Sequence, residues 1–480
     1  MQELNKTTAN RPELPIKILQ FGTGNFLRAF FDWMIEKSNE AGLTNHGIAI
    51  VQSTSRNNEA QKLYEKQDYM FHVYLEGIKD KKPIKEVTLV KNVMTLVNAA
   101  KEYQKCQELF LSEELEIIVS NTTEAGIRYE EGDDIFAEPP ASFPAKITAL
   151  LYQRFQKFAG ASDKGLLIVC TELIENNGST LKEYVLKHAA HFKLEQAFVD
   201  WVNTSCSFYD TLVDRIVPGF PKENIAEVQA EIGFNDNLVV KGEFFHVWAI
   251  GGDDKIKSKL PLDKVPGLNV QFMDDITEFR AKKVRVLNGA HTAMVPVSLQ
   301  LGCVTVMDAF NTPEVETFIN RMVDTEVLPV IDGDRTELSS FAASIVERFY
   351  NPFLKHYLKD ISLNSLAKWE ARDYPTVLDN YEKLGKKAHL AIFSFAALMV
   401  LYSGQSEVEF TPTDTPEFVE FIQTTFCRAD IKGWIEGIVS HPTMWNVNMK
   451  AIPFFADEVA KGVDLILRNG MREALQQVIK

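Results

Sequence analysis

A chain of 480 residues with 45% hydrophobic and 24% charged side chains has the makeup of a soluble globular protein long enough for two domains. Its net charge of −15 repels nucleic acid and anionic membranes, so neither is an expected partner, and an anionic small-molecule substrate would need basic residues gathered locally. Five cysteines without metal-type spacing, no apolar leader and no run as long as a membrane span predict a reduced, cytoplasmic protein; nine histidines show no zinc-like grouping, and a monomer or small homo-oligomer is expected, although one chain does not fix the oligomeric state.

From the N-terminus, residues 16–21 (IKILQF) form an apolar run that turns at Gly22-Thr-Gly24-Asn25 into a helical pattern carrying Phe26, Leu27, Phe30 and Phe31. Strand, glycine turn and helix in that order let backbone amides approach a pyrophosphate. Leu27 stands where a dinucleotide fingerprint has its third glycine, so a plain strand-to-helix turn is the competing reading. A second strand, 47–53, ends without the acid that would hold an adenosine ribose; Gln52, Ser53, Thr54 and Ser55 stand there with Arg56 close by, so the local sequence does not support NAD over NADP.

Alternation over 71–93 around a KDKKP turn predicts a hairpin inserted between the repeating units. Apolar strands at 115–120 and 165–170 then exit into Asn121-Thr122-Thr123-Glu124 and into Thr171-Glu172 followed by Asn176-Asn177-Gly178. In an open α/β sheet, ligands bind at such strand exits. Residues 241–252 are aromatic and strand-like, with His246 read as packing, and the prolines and charges after Asp254 read as a connecting loop. The fold expected is α/β, a Rossmann-like N-terminal domain with insertions over 1–272, followed by a mostly α-helical C-terminal domain over 273–480. In the latter, helical periodicity dominates at 315–327, 338–349 and 389–402.

The stretch with the most chemistry is Lys283-Val-Arg-Val-Leu-Asn288-Gly-Ala-His291. It falls in a helix predicted from Asp274 to Val295, started by Asp275 and Glu278 and ended by Pro296. At about 100° per residue, Asn288 and His291 lie roughly 140° and 80° around the axis from Lys283, so the three can serve one cleft. A lysine made partly neutral by burial and by neighbouring cations such as Lys282 and Arg285 can move a proton; Asn288 can donate to a developing alkoxide and His291 can orient a hydroxyl. The set suits alcohol–ketone interconversion. The bland alternatives are a snorkelling lysine, a backbone-capping asparagine and a satisfied core histidine. No P-loop, nucleophile elbow or His-Glu-x-x-His motif occurs, so phosphoryl transfer and zinc hydrolysis drop out.

Lys-x-x-x-x-Asn-x-x-His resembles the signature of the polyol-specific long-chain dehydrogenases, the mannitol dehydrogenase family. Blocks ILQFGTGNFLRAF, SNTTEAGI, TLVDRIV, LNGAHTA and NPFLKH extend that resemblance from residue 18 to about 370, with a looser match at GMREAL. The resemblance implies a metal-independent, NAD(H)-using oxidoreductase with Lys283 as acid/base, Asn288 in an oxyanion hole and His291 on the substrate. It implies coenzyme contacts at Phe21, Gly22, Gly24, Asn25, Phe26, Thr122, Thr123 and Glu124. A second oxyanion amide is implied at Asn177, with Asn176 as the adjacent alternative and a plain loop asparagine as the competing reading. Asp214 and Lys368 match the family's substrate-side aspartate and lysine; an Asp-Arg pair such as Asp214-Arg215 is otherwise most often a surface ion pair.

The family's polyol-binding arginine is replaced here by Asp360, which argues against a plain mannitol-type enzyme. Lys355 and His356, on a helix expected to start at Asn351-Pro352, become the expected carboxylate contacts. The implied reaction moves a hydride between nicotinamide and the keto carbon of a sugar acid, in the branch whose substrate pair is D-tagaturonate and D-altronate. The alternatives are a stereoisomeric sugar acid, a neutral polyol with its ketose, or a dinucleotide sensor without catalysis.

Overall fold

The structure, a computed structural model, describes residues 1–53, 58–79, 82–122, 126–353 and 355–480, with only the backbone at 58–60. It divides into two compact units: Met1–Gly77 with Pro83–Ile276, and Ile78–Lys82 with Thr277–Lys480.

The first unit is built on strands β1 (Ile16–Phe21), β2 (Gly47–Gln52), β3 (Val93–Asn98), β4 (Ile117–Ser120), β5 (Leu167–Cys170), β6 (Ser207–Asp214), β7 (Val247–Gly251) and β8 (Val270–Met273). They lie in the order β8-β7-β6-β5-β4-β1-β2-β3. From β3 to β6 neighbouring strands run parallel, and β7 reverses direction against β6. That core is the doubly wound order, with its reversal of winding between β1 and β4. The strands are near-continuous apolar runs because both faces are covered: β2, β4 and β5 are buried along their whole length. The predicted hairpin is present as Phe71–Lys79 and Lys82–Val90, in a separate three-stranded sheet completed by Val240–Glu243.

Two readings of this unit change. Residues 241–252 are not one strand: Val240–Glu243 joins the hairpin sheet, while Val247–Gly251 enters the large one. The supposed connecting loop contains the helix Lys255–Lys259 and ends in β8, a four-residue edge strand too short to carry a period. His246 is 5% exposed, its ring 5.0 Å from Trp33 and its Nε2 accepting from the Asn269 amide at 3.0 Å. Burial and the Arg215 charge lower its pKa to about 3, so it packs as a neutral ring.

Helices α1 (Trp33–Glu40), α2 (Phe143–Lys157) and α3 (Asn177–His191) belong to this unit. The second unit contains α4 (Thr277–Lys283), α5 (Ala290–Gln300), α6 (Arg335–Phe349), α7 (Ser365–Arg372), α8 (Tyr374–Leu384), α9 (His389–Tyr402) and α10 (Phe455–Val478). Helix α9 is buried from Leu390 to Tyr402, as expected of a helix apolar on every side. Its N-terminus is capped from a distance by Glu326, which accepts from the Leu390 and Ala391 amides at 2.8 and 2.9 Å. Among the described residues no helix is long and apolar enough to cross a membrane.

Pro296 does not end its helix: α5 runs through it to Gln300. An interior proline costs about 3 kcal/mol, but nearly the whole of α5 is buried, and tertiary packing outweighs that. The helix expected at Asn351-Pro352 is likewise absent. Asn351 Oδ1 accepts from the Phe353 amide at 3.0 Å, a local turn, and helix resumes only at Leu358–Ile361 and, after left-handed Asn364 (φ 53°), at α7. Lys355 and His356 therefore lie outside any helix, and Lys368 is on α7.

Candidate functional site

The first unit carries a cavity of about 730 Å³ at the exits of β1, β2 and β4, where the winding reverses. Phe21, Gly22, Thr23 and Gly24 line it together with Gln52, Ser53, Asn121 and Thr122. The two glycines differ. Gly22 has φ +140°, and a Cβ there would meet Asn121 O at 3.0 Å and Leu27 Cδ1 at 3.1 Å, so it makes the tight turn. A Cβ on Gly24 would meet nothing within 4 Å, so the open space beside it is room for a ligand against the backbone. Those are the jobs of the first two glycines in a dinucleotide turn. Leu27, fully buried over Gly22, fills the volume that a third glycine leaves for helix packing.

The other expected coenzyme contacts behave differently. Asn25 Oδ1 accepts from Arg28, whose guanidinium also donates to Leu238 O, so both residues brace the turn. Phe26 stacks on Phe30 at 4.8 Å between ring centres. Thr122 is held by Glu172, whose Oε1 accepts from the Thr122 amide and hydroxyl at 2.9 and 3.0 Å while Oε2 accepts from Ser120 at 3.1 Å. Thr123 and Glu124 lie outside the described residues.

Asn177, the first residue of α3, is fully buried. Its Nδ2 donates to the carbonyls of Glu172 (3.0 Å) and Thr211 (3.1 Å), and its Oδ1 accepts from the amides of Gly178 and Thr211, each at 2.9 Å. The carboxamide thus ties the exit of β5 to the middle of β6, and both its N–H bonds are spent inside the fold, which does not suit the oxyanion role expected of it. Asn176 beside it is exposed at φ 48° and can present an amide to a ligand. Asp214 ends β6, half-buried, opposite Val247. Arg215 is buried rather than paired at the surface: its guanidinium donates to the carbonyls of Ala29, Phe244 and Phe245 and lies 4.2 Å over the Trp33 ring.

In the second unit, α4 passes into α5 through a π turn, Val284–Gly289. The bond pattern of a π turn runs between residues five apart, which brings Lys283 and Asn288 more nearly over one another than a regular helix would. Lys283 is 8% exposed and Asn288 half-buried. Arg285 is not a cation beside Lys283 in the sense expected, because Asp379 takes its guanidinium. Gly289 permits a close approach: a Cβ would sit 2.8 Å from Asp373 Oδ1.

His291, 9% exposed, has its ring 4.6 Å from Phe349 and 5.1 Å from His356. Burial, then the charges of His356, Arg348, Arg372 and Lys283, hold it well below the ordinary imidazole pKa, and its Nε2 has no hydrogen-bond partner among the described residues. His356 is also lowered, by burial and then Arg348. A neutral buried imidazole with an unmet nitrogen is equipped to hold a substrate hydroxyl.

So the structure brings Lys283, His291 and His356 into one electrostatic neighbourhood. Lys355 is exposed, and Lys368 donates to Ile361 O at 2.9 Å. The sequence reading missed Arg348 and Arg372. The latter donates to Thr292 Oγ1 at 3.2 Å and stands four residues beyond Lys368 on α7, a same-face spacing that was there to be read.

The two units correspond to two family models. The mannitol dehydrogenase Rossmann domain matches residues 16–264, and the mannitol dehydrogenase C-terminal domain matches residues 275–467. The chain belongs to the mannitol dehydrogenase family. Among relatives in this family, the altronate oxidoreductase of Bacillus subtilis (strain 168) is 39% identical over 480 residues, covering 99% of this chain and 98% of that protein. The altronate oxidoreductase of Klebsiella pneumoniae (strain 342) is 37% identical over 483 residues, covering 99% of each. Two solved structures share the fold. A D-sorbitol dehydrogenase in substrate-free form has TM-score 0.84 at 18% identity over 99% of this chain and all of that one. The mannitol 2-dehydrogenase of Pseudomonas fluorescens, in a ternary complex with NAD and D-mannitol, has TM-score 0.74 at 22% identity, over 100% of this chain and 99% of that one.

Proposed function

We propose that the protein is an NAD(H)-dependent altronate oxidoreductase, interconverting D-tagaturonate and D-altronate, with Lys283 as general acid and base and no catalytic metal. The observation that carries the reading is the end-to-end relatedness to altronate oxidoreductases at 39% and 37% identity. The site agrees with it. Arg348, Arg372 and Lys283 gather positive charge around two imidazoles in a protein of net charge −15, which is what a carboxylate-bearing sugar needs.

The glycine turn, with Gly24 facing open space, and Thr122 fit a dinucleotide, which when bound supplies or accepts the hydride. In reduction, the Lys283 ammonium donates a proton to the oxygen of the former ketone, and Asn288 hydrogen-bonds that oxygen as its charge develops. In oxidation, neutral Lys283 takes the hydroxyl proton. His291, neutral and with Nε2 unmet, orients the substrate. His356 and the arginines hold the carboxylate end. The end of β2 carries Gln52 and Ser53 in place of an acid, so NADH is assigned on the family relationship and is tested directly.

The test is a substrate panel: tagaturonate, fructuronate and fructose, each with NADH and NADPH, followed by nicotinamide absorbance. Tagaturonate with NADH should give the highest kcat/KM. Turnover of fructose alone, or of fructuronate in preference to tagaturonate, rejects the assignment.

A further inference from the structure

We propose that Lys146 is a coenzyme-binding residue whose buried ammonium receives the diphosphate of the dinucleotide. The proposal rests on the dinucleotide reading of the 730 Å³ cavity, whose wall includes Lys146 beside Ala141, Ser142 and Phe143.

Lys146 is the fourth residue of α2, just inside a helix start capped by Ser142, whose Oγ accepts from the Ala145 amide at 3.2 Å. Its side chain is 4% exposed. An ammonium has three N–H bonds to satisfy, and among the described residues Nζ makes one hydrogen bond, 2.6 Å to Ala141 O. The acid that acts on it through space, Asp133, is itself engaged by the Ser142 amide at 3.1 Å. Burying a cation with so little direct compensation is unfavourable unless an anion completes the pairing, and the space that Lys146 borders is the one the glycine turn opens for a pyrophosphate.

Arg128, in the same wall, is the alternative cation. It is mostly exposed, however, and its guanidinium is joined to Glu130 at 2.6 Å, so it arrives already neutralised. The charge left for the ligand is that of Lys146. Desolvation lowers the pKa of Lys146 in the unliganded protein; a diphosphate at the amine would restore the charged form, so coenzyme binding and protonation of Lys146 reinforce each other.

The experiment is calorimetric titration of the full-length wild type, K146Q and K146R with NADH, ADP and adenosine. Wild type should bind ADP more tightly than adenosine. K146Q should weaken NADH and ADP by about tenfold or more, the scale of a lost hydrogen bond to a charged group, and leave adenosine unchanged. K146R should retain part of the ADP preference. The proposal is overturned if ADP affinity is unaffected, or if adenosine weakens as much as ADP, which would mark a structural role. Should K146Q fail to fold, K146R decides alone: a changed ADP-to-adenosine ratio supports the proposal and an unchanged ratio overturns it. A wild type that binds neither NADH nor ADP removes the dinucleotide reading itself.

Discussion

The glycine turn after β1 and the cationic cluster around His291 do comparable work by different means. The turn is made of backbone: one glycine bent into a conformation that other residues resist, a second facing open space, and a leucine closing the fold behind them. The cluster is made of side chains drawn from three stretches, 283–291, 348–356 and 372, with a π turn aligning the first of them. A backbone site is lost by adding atoms, and a side-chain site by removing them. The largest effect should come from the second kind. Lys283→Ala removes the proton carrier, so kcat should fall by about 10²–10⁴-fold, the usual contribution of general acid–base catalysis, with NADH affinity unchanged. If single-turnover rates stay at the wild-type level, Lys283 has no such role.

The glycines sharpen the contrast from the other side. Gly22→Ala forces a side chain into positive φ and onto Asn121 O, a strain of about 1–3 kcal/mol, so both the melting temperature and NADH affinity should drop. Gly24→Ala, with φ −66° and no neighbour to strike, should leave melting unchanged and weaken NADH alone. Equal melting losses in the two variants would refute the division of labour. A smaller effect is expected at the charged end of the cluster. Arg348→Gln should raise KM for tagaturonate about tenfold, the order of a hydrogen bond to a charged group, while fructose turnover and NADH affinity hold. A loss shared by the neutral ketose would place Arg348 in the structure rather than in recognition.

The same contrast explains what could be read from the sequence. The first unit was legible in outline because a strand–glycine–helix run and repeated apolar strands are local patterns, whereas the order of strands in the sheet and the short edge strand β8 came only from the structure. Lys283, Asn288 and His291 were legible as a motif, but their alignment was not, since regular periodicity cannot foresee a π turn. Arg348 escaped because its neighbourhood depends on α6 returning to His291 from across the fold, and Asn177 misled because a strand-exit asparagine looks the same whether its amide faces a ligand or clips two strands. Pro296 and Asn351 mark the limit of propensity: packing overrode the first, and a side-chain turn pre-empted the second.

The smallest expected effect concerns stability, and it lies behind the glycine turn rather than in it. Asp32 ends a second π turn, Arg28–Asp32, and is fully buried with neither carboxylate oxygen hydrogen-bonded among the described residues. Burial raises its pKa to about 8, against the pull of Gln20 and Arg28. An ordinary aspartate in the unfolded chain titrates near 4, at about 3.9. Between those values the folded state holds a proton that the unfolded state has released, so the contribution of Asp32 to stability is greatest below pH 4, declines as pH rises and levels off above about 8. Asp32→Asn keeps the shape without the titration and removes that decline. The variant should therefore melt closer to wild type at pH 5 than at pH 9, where it should melt a few degrees higher. Glu36, four residues on and raised to about 7, has the same sign, but its carboxylate accepts from the Lys91 amide at 2.9 Å, so replacing it would also break a bond. Asp32 is the cleaner probe, and melting curves for wild type and variant that stay parallel from pH 5 to 9 would show that its proton is not held by the fold.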